Sequence, residues 1–168
     1  EAWGERRLDV LVNSIGTVRY KRQEFEIETF RFVMDVNLTG VFHLCEKFRD
    51  AIEASVKRGN AGSIINIASM AACGALPCGG HYAACKAAVI SLTRTMAVEL
   101  APEIRVNAIA PDHTRTPGNN PHGPIDVDES AWPPDPPGWA EAWRRAIPLG
   151  REGDPGECGD VAVFLASE

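Results

Sequence analysis

The sequence has no apolar run approaching the roughly 18 residues that a membrane span needs. It also lacks a basic excess. With a net charge of −6 at pH 7, it offers no case for a nucleic-acid or anionic-membrane surface, since both require clustered Lys and Arg. Its five cysteines are odd in number and form no regular framework. Reduced thiols in a cytoplasmic setting are therefore expected rather than disulfides. The glycines at 150, 153, 156 and 159 match neither G-x-G-x-x-G nor the Walker spacing, so no phosphate loop is read there. No internal repeat is present. The chain opens on Glu1, shows no signal-peptide pattern and ends inside a helical pattern at Glu168. It reads as a piece of a longer protein. At 168 residues it has the length of one domain and can bury a core without staples.

Strand and helix signals alternate along the first two thirds. Leu8–Val12 is a short apolar run suited to a buried strand, and Asn13-Ser14-Ile15-Gly16 reads as a turn. A long helix is predicted from about Ile27 to Lys57, with Phe30, Val33, Met34, Val41, Leu44, Phe48 and Ile52 at helical spacing and Lys57-Arg58-Gly59 as its stop. Ser63–Ala68 is the second strand and Cys73–Gly80 a loop. A second helix follows from about Tyr82 to Leu100, with Ala87, Ile90, Leu92, Met96 and Leu100 as candidate buried positions. Ile104–Ala110 is the third strand. Parallel strands cannot be joined by tight hairpins, so this rhythm predicts βαβ units, a parallel sheet and helices on both faces.

After Ala110 the composition changes. Nine of the twelve prolines lie between Pro111 and Pro148, together with Trp132, Trp139 and Trp143. Such proline density excludes a long helix or a central strand. Residues 111–148 are read as a substrate-lid segment within a single domain 1–168. Trp139 and Trp143 predict a short helix over Gly138–Ile147. Asp154-Pro155-Gly156-Glu157 carries the signature of a helix start, with Asp154 as cap, Pro155 at the first helical position and Glu157 completing a capping box.

The residues that can carry chemistry are Tyr82 and Lys86, four apart on one helix face, with Ser69 at the end of the strand before them. A free phenol titrates near pH ~10 and is a poor base at neutrality. A nearby ammonium favours the phenolate, so a Tyr–Lys pair can exchange a proton with an alcohol or ketone. A serine hydroxyl can bond the same oxygen. Asn37 is a polar residue amid Phe32, Val33, Val36 and Leu38. It reads equally as a satisfied structural amide or as part of the site.

Taken in order, Asn13-Ser14-Ile15-Gly16, Asn37, Ser69, Tyr82-Ala83-Ala84-Cys85-Lys86 and Arg105-Val106-Asn107-Ala108-Ile109-Ala110-Pro111 resemble the short-chain dehydrogenases/reductases over nearly the whole chain. The resemblance implies a Rossmann-like doubly wound parallel sheet, incomplete in its first strands and phosphate-binding loop. It implies an NAD(P)-dependent oxidoreductase acting on a small-molecule alcohol or ketone, a homotetramer or homodimer when full length. Tyr82 would be the general acid/base, Lys86 its activator and a ribose ligand, and Ser69 the ligand of the reacting oxygen. Asn37 would support a proton-relaying water. Asn13 and Gly16 would lie against the adenosine part of NAD or NADP, and Pro111, Thr114 and Thr116 would hold the carboxamide. Ile15 stands where the family usually has alanine, and Asp112 where it has glycine. The residues that separate NAD from NADP are not in this sequence.

Two other readings compete. Cys73, Cys78, His81 and Cys85 fall within thirteen residues and supply four soft ligands for zinc, though without the usual Cys-x2-Cys pair. Alternatively, the chain serves only subunit assembly, its two long helices pairing between copies. Small residues lining a substrate loop are the preferred reading of the cysteine cluster, and no metal is assigned.

Overall fold

The computed structural model describes residues 7–19, 23–76, 79–114, 137–138, 141 and 145–167. They form two compact units, Glu1–Ala110 with Val161–Glu168, and Pro111–Asp160.

The first unit runs β1 (Val10–Asn13), α1 (Ile27–Met34), a π-helical turn (Asp35–Thr39), α2 (Gly40–Val56), β2 (Gly62–Ile67), a 3-10 turn (Met70–Ala72), α3 (Gly80–Glu99) and β3 (Ile104–Ile109). The three strands are parallel in the order β1-β2-β3. Asn13 pairs in register with Asn66, and Ser63 with Arg105. The fold is the expected Rossmann-like α/β arrangement, with shifted bounds. Asn13, read as the first turn residue, is the last residue of β1. The third strand stops one residue early at Ile109, and α3 starts two residues early at Gly80.

The long predicted helix is continuous from Ile27 to Val56 but is not α-helical throughout. A π turn interrupts it at Asp35–Thr39, around Asn37. Gly59, at φ +91°, provides the left-handed conformation that ends it, as the Lys-Arg-Gly stop predicts.

Residues alternate across the pleat of β2. Ile64 and Asn66, with Val106 and Ile104 of β3, face the helices. They pack on Val41, Cys45 and Ile52 of α2 and on Val89, Met96 and Leu100 at the end of α3. Gly62 lies in the same row. A Cβ there would sit 2.8 Å from Ile52 Cγ2 and 3.0 Å from Ile104 Cγ1, so glycine lets α2 and β3 close over the strand.

Both crossover helices share one face because the strand order never reverses. The other face carries Ser63 and Arg105. Arg105 donates to the carbonyls of Leu165, Ala166 and Ser167 at 2.7, 3.3 and 3.0 Å, and Ser63 Oγ donates to Leu165 O at 3.3 Å. These carbonyls end α4 (Pro155–Ala166). An arginine thus satisfies the orphan acceptors of a helix C-terminus, and helices meet both faces as expected.

The buried positions of α3 are His81, Cys85, Lys86, Val89, Thr93 and Met96. Ala87, expected inside, is exposed. The stripe follows the 81-85-89-93-96 line with Lys86 beside it, which places a threonine and a lysine in the core. Composition alone puts neither there.

In the second unit, Thr114 forms a single bridge to Gly153, and the Gly153 amide donates to His113 O at 2.8 Å. The predicted capping box is present. Asp154 Oδ1 accepts from the Gly156 amide at 2.7 Å, and Glu157 Oε2 accepts from the Asp154 amide at 2.7 Å. The predicted helix over 138–147, Trp132, Trp139 and Trp143 lie largely or wholly outside the described residues.

Candidate active site

Lys86 organises the site. Its side chain is 2% exposed, and its ammonium donates to the Ile67 carbonyl at 2.7 Å. That carbonyl is the last of β2, two residues before Ser69. The bond therefore ties α3 to the carboxyl end of the central strand. Burial pushes the Lys86 ammonium down to about 8 from its usual 10.5, with the Cys85 thiol opposing weakly. The same ammonium lies 5.6 Å from the centroid of the Tyr82 ring, as the spacing of four on a helix requires. Tyr82 itself is half-buried.

Ser69 has extended backbone (φ −169°, ψ 153°) and caps the following 3-10 turn, its Oγ accepting from the Ala71 amide at 3.1 Å. Its hydroxyl hydrogen is not committed by that bond.

The turn after β1 packs on Lys86 and Asn37. A Cβ on Gly16 would stand 3.1 Å from Asn37 Oδ1 and 3.6 Å from Lys86 Nζ. Asn37 is wholly buried. Its Oδ1 accepts from the Thr17 amide at 3.1 Å, while its Nδ2 donates to Thr17 O at 2.7 Å and to Val33 O at 2.9 Å. The side chain thus pairs with a backbone residue much as a neighbouring strand would. It also takes a carbonyl four residues back in its own helix, beside the π turn. π turns of this kind recur at functional sites. The Asn37 side chain thus braces the β1 turn against the helix.

Asn13 is buried at the end of β1. Its side chain turns inward, with Nδ2 donating to Asn66 Oδ1 at 2.9 Å and to Cys45 Sγ at 3.2 Å. Asn66 Nδ2 donates in turn to Thr93 Oγ1 at 2.9 Å, and Thr93 to Val89 O at 2.8 Å. This buried chain runs from β1 through β2 to α3. Burial raises the Cys45 thiol to about 11, so it acts there as a neutral group.

Of the residues singled out in the sequence, the structure brings Gly16, Asn37, Tyr82 and Lys86 together, with Ser69 at the end of the same strand that Lys86 grips. Asn13 stands behind them in the core. Pro111 and Thr114 belong to the second unit, and Thr116 lies outside the described residues. Three partners were not foreseen: the Ile67 carbonyl, the Thr17 backbone, and the Asn66–Thr93 pair. The polar Asn66 inside Ile64-Ile65-Asn66-Ile67 was the one available signal.

Among the described residues the soft-ligand cluster does not assemble. Cys73 is exposed. His81 is buried with neither ring nitrogen bonded. The Cys85 thiol lies 3.2 Å from Met34 Sδ and 3.7 Å from Val33 O. Among the described residues no three His, Cys, Asp or Glu side chains gather as metal ligands. Cys78 lies outside those residues.

A three-stranded parallel sheet with a polar constellation at its carboxyl edge defines a Rossmann-like nucleotide-binding class of fold. Residues 1–168 match the family described as enoyl-(acyl carrier protein) reductase. An NAD-dependent oxidoreductase of Mycobacterium tuberculosis is 36% identical over 166 residues, covering 96% of this chain and 57% of the relative. The solved ligand-free aldohexose dehydrogenase of Thermoplasma acidophilum superposes with TM-score 0.78 at 32% identity, covering 96% of this chain and 61% of that one. A 4-hydroxyisoleucine dehydrogenase complexed with NADH gives TM-score 0.74 at 27% identity, covering 95% and 61%. The chain belongs to the short-chain dehydrogenase/reductase family. It spans less than two thirds of the length of each of these relatives.

Proposed function

We propose that the protein carrying this chain is an NAD(P)-dependent oxidoreductase that interconverts a secondary alcohol and a ketone. The observation that carries this is Lys86. A lysine at 2% exposure is costly to bury, and this one is held by the Ile67 carbonyl beside Tyr82 and the Gly16 turn.

The residues present fit a nicotinamide nucleotide. Gly16 leaves open the space beside Lys86 that a side chain would fill. Lys86 has three donors, and the Ile67 bond uses one of them. The others can hold ribose hydroxyls. The nucleotide, when bound, supplies hydride donation or acceptance. Tyr82 exchanges the proton of the reacting hydroxyl, and the Lys86 charge favours its phenolate. The Ser69 hydroxyl donates to the reacting oxygen. Asn37 positions the turn that carries Gly16. A water held for proton relay can bind its backbone or the second lone pair of Oδ1, since both Nδ2 donors are spent. Asn13 contributes through its backbone, and Pro111 and Thr114 remain the proposed carboxamide contacts. The protein is a homo-oligomer in this reading. Phe42 and Val98 on α2 and α3, 48% and 80% exposed, supply apolar surface for it.

The decisive experiment uses the full-length protein. Tyr82→Phe should lower turnover of secondary alcohols by a factor of about 10²–10⁴ while NADH and NADPH binding, read by nucleotide fluorescence, stays within a few-fold. Retained turnover would remove Tyr82 from its role. Failure of the parent protein to bind either nucleotide would sink the oxidoreductase reading itself.

A further inference from the structure

We infer that the substrate carries an anionic group, a carboxylate or phosphate, read by Arg19 at the rim of the site. The inference rests on the proposed oxidoreductase reading and adds the class of substrate. Arg19 follows the Gly16–Thr17 turn by two residues. Gly16 abuts the Lys86 ammonium, and Thr17 is bonded at both N and O to Asn37. Three residues of chain reach at most about 10 Å, so Arg19 stands at the carboxyl edge of β1, where ligands of open α/β sheets bind.

The guanidinium there is placed rather than loose. Nη1 donates to Thr17 Oγ1 at 2.8 Å and to Val18 O at 3.0 Å. Its carbon lies 5.0 Å from the centroid of the Phe32 ring, a cation–π arrangement. Phe32 is itself 45% exposed and directly precedes the buried Val33. One nitrogen and one face of the fork are thus used to fix its position. Nε and Nη2 carry no hydrogen bond to the described residues. No described carboxylate forms an ion pair with Arg19, as with Arg94 and with Arg105, whose fork is spent on helix carbonyls, whereas Arg7, Arg31, Arg49, Arg145 and Arg151 all have one. A planar fork held from behind, with donors left over, suits two-point binding of a carboxylate or phosphate. Thr17 connects this anion contact to Asn37 and to the reacting end, so a substrate would be gripped at both ends.

The test compares the full-length protein with its Arg19→Gln variant on matched secondary alcohols: 3-hydroxybutyrate against its methyl ester, and glycerol 3-phosphate against glycerol. The first pair probes a carboxylate and the second a phosphate. The wild type should favour one anionic member, and Arg19→Gln should cut that preference by a factor of about 10–100, through KM rather than kcat. A second measurement needs no turnover. Phenylglyoxal labelling of Arg19, read by peptide mass, should be suppressed by acetate or inorganic phosphate in wild type and in Tyr82→Phe alike. The inference is overturned if the neutral members are preferred, if Arg19→Gln leaves the ratio unchanged, or if neither anion protects Arg19. If the anions protect but no alcohol is oxidised, the anion site stands and the oxidoreductase reading fails.

Discussion

Gly16 and Lys86 face each other across a gap narrower than a methyl group needs when Asn37 is also counted. A Cβ at position 16 would lie 3.6 Å from the ammonium and 3.1 Å from Asn37 Oδ1. The second distance is tight for carbon against oxygen, and Asn37 cannot retreat without giving up its bonds to Thr17 and Val33. Gly16→Ala should therefore shift the turn rather than the amide. The expected result is a folded protein whose KM for nicotinamide nucleotide rises at least tenfold, with a thermal midpoint within a few degrees of the parent. Steady-state kinetics and a melting curve check it together. An unchanged KM would mean that the turn does not lie against the cofactor.

Lys86 gives stability a pH signature. Its ammonium titrates near 8 in the folded chain, against about 10.5 when exposed. Below pH 8 the lysine is charged in both states, and the full cost of burial is borne. Between about pH 8 and 10.5 the folded state loses the proton while the unfolded state keeps it, so this group's contribution becomes more favourable as pH rises. The shift corresponds to roughly 3 kcal/mol. Lys86→Met removes that cost and strands the Ile67 carbonyl, which takes back about 1–3 kcal/mol. The variant should be inactive. Relative to the parent, its stability should be greatest at pH 7 and should decline by roughly 3 kcal/mol toward pH 10.5. Urea unfolding at pH 7, 9 and 10.5 measures the trend, and a difference independent of pH would contradict the burial argument.

Much of this was legible in the sequence because it depends on local chemistry. The strands at Val10–Asn13, Gly62–Ile67 and Ile104–Ile109 follow from short apolar runs between turn residues, and the capping box at Asp154–Glu157 from four consecutive letters. The Tyr82–Lys86 pairing follows from helix periodicity. What stayed hidden depends on register and on breaks in periodicity. Nothing in the sequence says that Asn13 will stand beside Asn66, because cross-strand pairing is fixed by the whole sheet. A π turn at Asp35–Thr39 widens the hydrogen-bonded ring of the helix by one residue around Asn37, and no apolar spacing announces it. The buried stripe of α3 was misread at Ala87 because a lysine was not expected to share the core face with Cys85 and Val89. That exception to hydrophobic patterning falls at the site, where local rules are expected to give way.

The buried relay from Asn13 through Asn66 to Thr93 predicts a structural loss separable from catalysis. Thr93→Val keeps the volume but removes the acceptor of Asn66 Nδ2 and the donor to Val89 O. An amide donor left unpaired in the core costs about 1–3 kcal/mol. Thr93→Ser retains both bonds and should recover most of that loss. Denaturant melts of the two variants decide the point. Equal losses would show that the methyl group, not the hydroxyl, is what the site needs.

The start of α4 offers a test at acid pH. Glu157 pairs with Arg151 at 2.7 Å and accepts from the Asp154 amide at 2.7 Å, and together these hold its carboxyl down at about 2. A carboxylate with a depressed folded pKa contributes stability that is fully present above its unfolded value, near 4.5, and is lost as pH falls toward 2. Glu157→Gln keeps an oxygen acceptor for the Asp154 amide but loses the charge seen by Arg151. It should lower the thermal midpoint at pH 7 by a few degrees. As pH falls from 4.5 its melting curve should approach the parent's, meeting it only below about pH 2, where the folded carboxyl is protonated as well. The Asp154→Ala variant behaves differently. It removes the acceptor of the Gly156 amide, a loss expected to remain at any pH at which Asp154 still accepts. Melting both variants at pH 7 and pH 3 therefore separates the ion pair from the cap. If Glu157→Gln were as destabilising at pH 3 as at pH 7, the contribution would lie in side-chain packing rather than in charge.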